Sequence, residues 1–333
     1  MTEKTILASE FIDKFDDFKS EDHVLLDFGT EQSLAVKVHP VGNRDSKALV
    51  VLFHGAISRK PENQTVLPAF LNARRELGDS AIQISIADPS IREDNSVGIG
   101  WFAGNEELPL QQLLPGFLEN LASGLGIDRV ILHGSSAGGF GALYYSWQLA
   151  GSAACVSVPQ TSAFAYNPGT LKNYLSSCWP NTRPENLPVL DLKPLYSETV
   201  PNFVSYIQSS RDGHHVSKHM IPFLASIAPE EYEKVSLKVS YWGKEGHSGS
   251  VPPEERDGWI KAAIVADNVT SFDVVNAYQK SGTEITPLSQ AMMRAAGVPK
   301  QPRKGKQDGR SQQEQFQDLN WAEIVTNHQR ERF

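Results

Sequence analysis

"RVILHGSSAGGFGALYYS", Arg129 to Ser146, places four glycines and three serines between a strand-like run and a helix-like one. Arg129-Val-Ile-Leu is short, branched and apolar, as a buried parallel strand is. Beyond Gly138, Phe140, Leu143 and Tyr144 recur at helical spacing, and only small residues lie between the two runs. A structural turn needs one or two glycines; a richer supply means that something approaches the backbone closely. Gly134-Ser135-Ser136-Ala137-Gly138 fits the pattern Gly-x-Ser-x-Gly, whose central serine takes a strained conformation that pushes its hydroxyl outward. Ser136 is therefore the candidate nucleophile, and Ser135 fills an "x" position. Alone, the pattern also suits a plain glycine turn or a phosphate loop. A Walker loop needs a Lys before its Ser or Thr, and a dinucleotide loop needs Gly-x-Gly-x-x-Gly; this run has neither.

The flanking sequence reads as an alternation of strands and helices. Strands are expected at His23–Phe28, Leu34–His39, Ala48–Phe53, Ala81–Ala87, Val130–Leu132, Ala153–Val158, Asn202–Gln208 and Val235–Trp242. The first two suit a partly exposed antiparallel pair. Helices are expected around Leu67 to Leu77, Leu108 to Leu125 and after Gly138, which makes a mainly parallel sheet with helices on both faces. We read residues 1–298 as a single α/β domain. Within it, residues of about 167–200, rich in Pro and Asn and without clear strands, form a cap-like insertion over the active edge. Residues 299–333 turn polar, which predicts a disordered tail suited to a protein partner, with a short helix over Leu319–Arg330.

A net charge of -8 and an acidic pI argue against nucleic acid as a partner. No run approaches the roughly 20 apolar residues that cross a bilayer. The first residues carry acids where a signal peptide has a basic flank. With only two cysteines, Cys155 and Cys178, a cytoplasmic location is expected, and neither a disulfide framework nor a cysteine zinc cluster.

A serine hydroxyl needs a base, usually a histidine oriented by a carboxylate. Of the nine histidines, His133 precedes the serine turn and reads as a packing residue. His247 instead lies in the glycine-rich run Tyr241-Trp-Gly-Lys-Glu-Gly-His-Ser-Gly-Ser, directly after the last expected strand. Asp212 follows the preceding strand, and Ser136, Asp212, His247 is the chain order that goes with this topology. Asp191 and Glu198 are the alternative acids. Oxyanion donors are expected from the amides of Ala137 and of Ala56, or Ile57, in the turn Phe53-His54-Gly55-Ala56-Ile57. The rival is a metal centre: in Asp212-Gly-His214-His215-Val-Ser-Lys-His219 a regular helix would put His215 and His219 on one face, with Asp212 as third ligand. It leaves the serine turn, His247 and the His54 turn unused, so neither metal nor cofactor is expected. His214, His215 and His219 are read as lining the pocket rim.

Leu52-Phe-His-Gly-Ala, Gly134-Ser-Ser-Ala-Gly-Gly, Asp212 and Gly246-His247 together resemble the α/β-hydrolase superfamily, over about Val24 to Ala266. The resemblance implies an α/β-hydrolase fold with Ser136 as nucleophile, Asp212 as acid and His247 as base. Asp88-Pro89, Trp101-Phe-Ala-Gly104, Pro159-Gln160-Thr161 and the histidines after Asp212 are similar to bacterial hydrolase-like proteins of capsule and surface-glycoprotein biosynthesis, some acting as O-acyltransferases. Gln160 thus joins His54, Gly55, Ser135 and His215 as a pocket candidate. No sugar-binding signature accompanies them, and the chain beyond Ala266 matches nothing. The leading expectation is a serine hydrolase cleaving a small carboxylic ester. The alternatives are an O-acyltransferase passing the acyl group to a glycan hydroxyl, with the same triad, and a catalytically silent scaffold.

Overall fold

Ala48–Phe53 is buried along its whole length, and its side chains alternate between two cores. Leu49, Val51 and Phe53 enter one with Leu114, Phe140 and Tyr145; Val50 and Leu52 enter the other with Trp259, Ile260 and Tyr278. A strand covered on both faces must be apolar throughout, which is why it shows no polar alternation. The structure, a computed structural model, describes residues 4–20, 23–40, 45–92, 96–242, 246–247 and 251–280. In chain order its strands are β1 (Thr5–Leu7), β2 (Val24–Asp27), β3 (Leu34–Val38), β4 (Ala48–Phe53), β5 (Ile82–Ile86), β6 (Arg129–Ser135), β7 (Ala153–Ser157), β8 (Phe203–Ser209) and β9 (Val235–Ser240).

These form one sheet, ordered β1-β2-β3-β5-β4-β6-β7-β8-β9. The pairs β2–β3 and β3–β5 are antiparallel, and every pair from β5 to β9 is parallel. The expected antiparallel pair is therefore present, joined at its edge by β1, too short to show a pattern. Register brings the strand ends into line: Phe53 opposes Gly134, Ser135 opposes Ser157, and Ser209 opposes Ser240. The segments leaving this edge carry His54, Ser136, Gln160, Asp212 and His247. Ligands collect beyond the carboxyl ends of parallel strands.

The helices are α1 (Leu110–Gly124), α2 (Ala137–Gln148), α3 (Pro168–Cys178), α4 (Lys193–Glu198), α5 (Gly213–His215), α6 (Ile221–Ser226), α7 (Pro253–Val265) and α8 (Ser271–Lys280). A π turn, Val216–Met220, links α5 to α6. The strandless stretch 167–200 holds α3, which Asn167 caps through Thr170 N at 3.0 Å, and α4. It is tied down: Gln111 of α1 clasps both backbone groups of Val189, and Tyr196 Oη donates to Leu143 O of α2. The helix expected at Leu67 to Leu77 is absent; that segment is irregular and ends in a 3-10 turn, Arg75–Ser80. Its backbone is satisfied sideways, by Gln83 on both groups of Arg74 and by Ser85 Oγ on Leu71 O, so nothing draws it into a helix. The expected tail of residues 299–333 and the helix Leu319–Arg330 lie outside the described residues. Among the described residues no helix is long and apolar enough to cross a membrane.

His133 on β6 is buried, donating Nδ1–H to Cys155 O at 2.7 Å, and is a packing residue as expected. Burial, reinforced by Arg74, lowers its pKa to about 3; burial, then the neighbouring His215, lowers that of His219 to about 3. Both folded values lie below the ordinary 6.5, so between them the unfolded chain binds protons that the native state refuses. Stability is full above pH 6.5 and falls towards pH 3, by up to about 1.4 kcal/mol per pH unit for each imidazole. Thermal melting across this range is expected to show a steep decline. A flat profile would mean that these histidines are protonated in the native state.

Candidate active site

The serine turn is a strand-to-helix elbow. β6 ends at Ser135, α2 begins at Ala137, and Ser136 between them has φ 55° and ψ -121°, a left-handed conformation costly for a non-glycine residue. The flanking glycines make it possible. A Cβ on Gly134 would overlap the Gly138 carbonyl, and one on Gly138 would overlap the Phe53 and His54 carbonyls of the neighbouring strand. Ser135 Oγ turns to Ser157 Oγ on β7. Ser136 Oγ instead accepts a hydrogen bond from Gln160 Nε2 at 3.2 Å. Ala137 N–H, in the first turn of α2, has no acceptor within its own helix.

Asp212 follows β8 and is 1% exposed. Its Oδ1 accepts from His215 N at 3.1 Å, capping α5, and its Oδ2 accepts from His247 Nδ1 at 2.8 Å. His215 Nδ1 lies 2.9 Å from the same Oδ2, and its Nε2 is buried without a hydrogen-bond partner among the described residues. Burial would raise the Asp212 pKa, but contacts with His215 and His247 outweigh it and hold the carboxyl well below its usual range. The His215 ring stacks on that of His247, centroids 4.2 Å apart and 11° from parallel. Burial lowers the His215 pKa against the pull of Asp212, so a neutral ring supports His247. His247 remains 46% exposed, with Nδ1–H given to Asp212 and Nε2 left to accept a proton. Among the described residues no hydrogen bond joins Ser136 to His247.

The metal rival changes shape here. His219 Nδ1 accepts from Thr161 N at 3.2 Å, and the cluster with metal-ligand spacing is Asp212, His215 and His247. The His215 and His219 rings do lie together, centroids 5.0 Å apart, as the expected trio required, but His219 turns Nδ1 to the Thr161 backbone and His247 takes its place beside Asp212. The alternative acids are placed otherwise. Asp191 accepts from the Lys193 backbone N–H at 3.1 Å and pairs with the Lys193 ammonium at 3.4 Å, and Glu198 lies exposed at the end of α4.

In the turn after β4, His54 is buried between Nδ1–H donation to Gly55 O at 2.6 Å and Nε2 acceptance from Asp88 N at 3.2 Å. Burial lowers its pKa against the opposing charge of Asp88, so the ring is neutral and this tautomer is set. Across a trans peptide the C=O and the following N–H point in opposite directions. Holding the Gly55 carbonyl therefore directs the Ala56 N–H away from His54. A Cβ on Gly55 would lie 3.9 Å from Ser136 Cβ, so this turn passes directly by the serine. The alternative donor Ile57 N is committed to Gly98 O at 2.9 Å. Trp101 and Asp88, which the sequence singled out only as part of a resemblance, gain roles here: the Trp101 indole Nε1 donates to Gln160 Oε1 at 2.5 Å, and Asp88 holds the Trp101 segment through Phe102 N at 3.1 Å. No local signal links positions so far apart in the chain.

Neither a protein-family model nor a curated protein matches the chain in sequence. Solved structures do match. A mutant of the capsule O-acetyltransferase of Neisseria meningitidis serogroup A, in complex with CoA, is similar with a TM-score of 0.51 at 13% identity, over 75% of this chain and 99% of that one. Naproxen esterase from Bacillus subtilis matches at 11% identity and TM-score 0.41, over 76% of this chain and 96% of that one. An S-formylglutathione hydrolase from Agrobacterium tumefaciens matches at 14% identity and TM-score 0.44, over 72% and 91%. The likeness is one of fold. Sheet order, the strained serine elbow and the first of these neighbours agree: the chain has the α/β-hydrolase fold.

Proposed function

We propose that this chain is a serine hydrolase of carboxylic esters, working through an acyl-enzyme on Ser136. One observation carries the reading: a serine forced to positive φ at a strand-to-helix elbow, with an Asp212–His247 pair leaving the same sheet edge. Ser136 Oγ attacks the ester carbonyl carbon and gives its proton to His247 Nε2. The amides of Ala137 and Ala56 receive the oxyanion, aided by the positive end of α2. Collapse expels the alcohol, which takes the proton from His247, and water then releases the acid by the same steps. His247 reaches Ser136 when substrate closes the site; hydrogen bonds of this kind are often long before substrate binds. Incubation with a fluorophosphonate probe, followed by peptide mapping, tests the reading. An adduct at Ser136 is expected, and an adduct elsewhere, or none, would overturn it.

A second reading keeps the triad and passes the acyl group to a glycan hydroxyl instead of water. The capsule O-acetyltransferase of similar fold, in a structure that holds CoA, favours it. Acetyl-CoA supplied with and without an oligosaccharide acceptor separates the two readings. Transfer makes thiol release depend on the acceptor; hydrolysis does not.

His54 tests the oxyanion turn. With His54→Ala the Gly55 carbonyl loses its partner and the Ala56 amide its fixed direction. A fall in kcat of about 10–100-fold with KM retained is expected, less than complete removal of an oxyanion donor produces. An unchanged kcat would place the second donor elsewhere.

A further inference from the structure

The geometry points to Gln160 as a further catalytic residue, a hydrogen-bond donor aimed at the oxygen of the nucleophile itself rather than at the substrate carbonyl. This role rests on Ser136 being the nucleophile. Gln160 is held on three sides. Its backbone N–H donates to Ser136 O at 2.9 Å, its Nε2 donates to Ser136 Oγ at 3.2 Å, and its Oε1 accepts from Trp101 Nε1 at 2.5 Å. The indole settles the amide's orientation. An indole N–H can only donate, so the amide oxygen must face Trp101 and the NH2 group must face the serine.

Both Gln160 and Trp101 are fully buried, so water does not compete for the contact. The backbone is bent to hold them. Trp101 and Phe102 have φ of 53° and 56°, and Val158, two residues before Gln160, has φ of 41°. Such conformations persist only where the surroundings impose them. Phe102 is gripped at both ends, its N–H by Asp88 Oδ2 at 3.1 Å and its carbonyl by Tyr145 Oη at 2.6 Å. Two strained segments from different strand ends thus converge on one amide group.

The donor acts twice in each turnover. In acylation, Ser136 Oγ passes its proton to His247 while forming the bond to the carbonyl carbon, and the Gln160 N–H steadies the charge gathering on that oxygen. In deacylation the Oγ–carbon bond breaks, Oγ leaves with the electron pair and takes a proton back from His247. The same N–H steadies it again. Because Gln160 accepts nothing from Ser136, the serine proton stays free for the base.

The test compares fluorophosphonate labelling rates of wild type, Gln160→Glu, Gln160→Met and Trp101→Phe across pH, with melting temperatures alongside. Gln160→Glu keeps shape and folding if Gln160→Met does not. Both Gln160 variants are expected to label about 10–100-fold more slowly, and Trp101→Phe about 3–10-fold more slowly because its amide is free to turn. The pH midpoint of labelling of Gln160→Met and Trp101→Phe should stay where the wild type has it, because neither adds a charge and Asp212 and His247 are untouched. Wild-type rates in Gln160→Met or Gln160→Glu overturn the role, and so does a loss in the uncharged Gln160→Met accompanied by a shifted midpoint, which would mean a displaced triad. Normal labelling of Trp101→Phe beside slow Gln160 variants overturns the orienting part. A wild-type protein that takes no adduct at Ser136 overturns the nucleophile and this role together. A wild type that labels at Ser136, with variants that match it, removes the Gln160 role alone.

Discussion

Ser136→Ala is expected to reduce kcat on a small ester such as p-nitrophenyl acetate by about 10⁵–10⁶-fold, as loss of the nucleophile does in other serine enzymes. The protein should remain folded, because among the described residues Ser136 Oγ has one hydrogen-bond partner, Gln160, and alanine occupies the same backbone conformation no worse than serine. Ser136→Gly carries the argument further. Glycine adopts a φ of 55° without steric cost, so this variant should be just as inactive yet more stable than the wild type by about 1 kcal/mol. A melting temperature that rises as activity vanishes would show strain retained for chemistry. Ser135→Ala supplies the contrast. With its hydroxyl turned to Ser157, its loss should leave turnover within several-fold of wild type. Retained activity in Ser136→Ala, or collapse in Ser135→Ala, would move the nucleophile by one residue and undo the register on which the site is built.

That register was legible because the elbow is a local object. The glycines at 134 and 138 are required by contacts with each other and with the adjoining strand, so a five-residue pattern carries the whole constraint. β4 is equally plain, since a strand buried on both faces becomes an unbroken apolar run. What escaped the sequence depends on contacts distant along the chain. Leu67 to Leu77 has helical spacing, yet Gln83 and Ser85 of β5 take over its backbone groups. Trp101 and Gln160 are 59 residues apart, and only the folded sheet edge makes them partners. The histidines after Asp212 show a third kind of limit. Regular helical spacing pairs His215 with His219, and their rings do meet, but only the fold shows that His219 also serves the Thr161 backbone and that His247 stacks on the other ring.

Asp212→Asn is expected to cost about 10³–10⁴-fold in kcat, and the structure explains why so small a change does so much. Asp212 makes two kinds of contact with its two oxygens. Oδ1 caps α5 through His215 N, and Oδ2 receives His247 Nδ1–H. An asparagine has one acceptor oxygen, and the cap fixes where it goes, since a backbone N–H can only donate. The NH2 group is then forced into the Oδ2 position, facing His247 Nδ1 with a donor. That nitrogen must now accept, so the imidazole proton moves to Nε2, and the atom that should take the serine proton already carries one. Stability should change little, because the cap survives. Asp212→Ala removes cap and partner together and should lose about 1 kcal/mol of stability as well as activity. Melting curves and kcat for both variants separate the two effects. The metal alternative is decided in the same assay, because Asp212, His215 and His247 are close enough to share an ion. If the triad is at work, a chelator leaves wild-type turnover unchanged and added zinc does not rescue Asp212→Asn. Turnover that a chelator abolishes and zinc restores would assign Asp212 to a metal instead of a histidine.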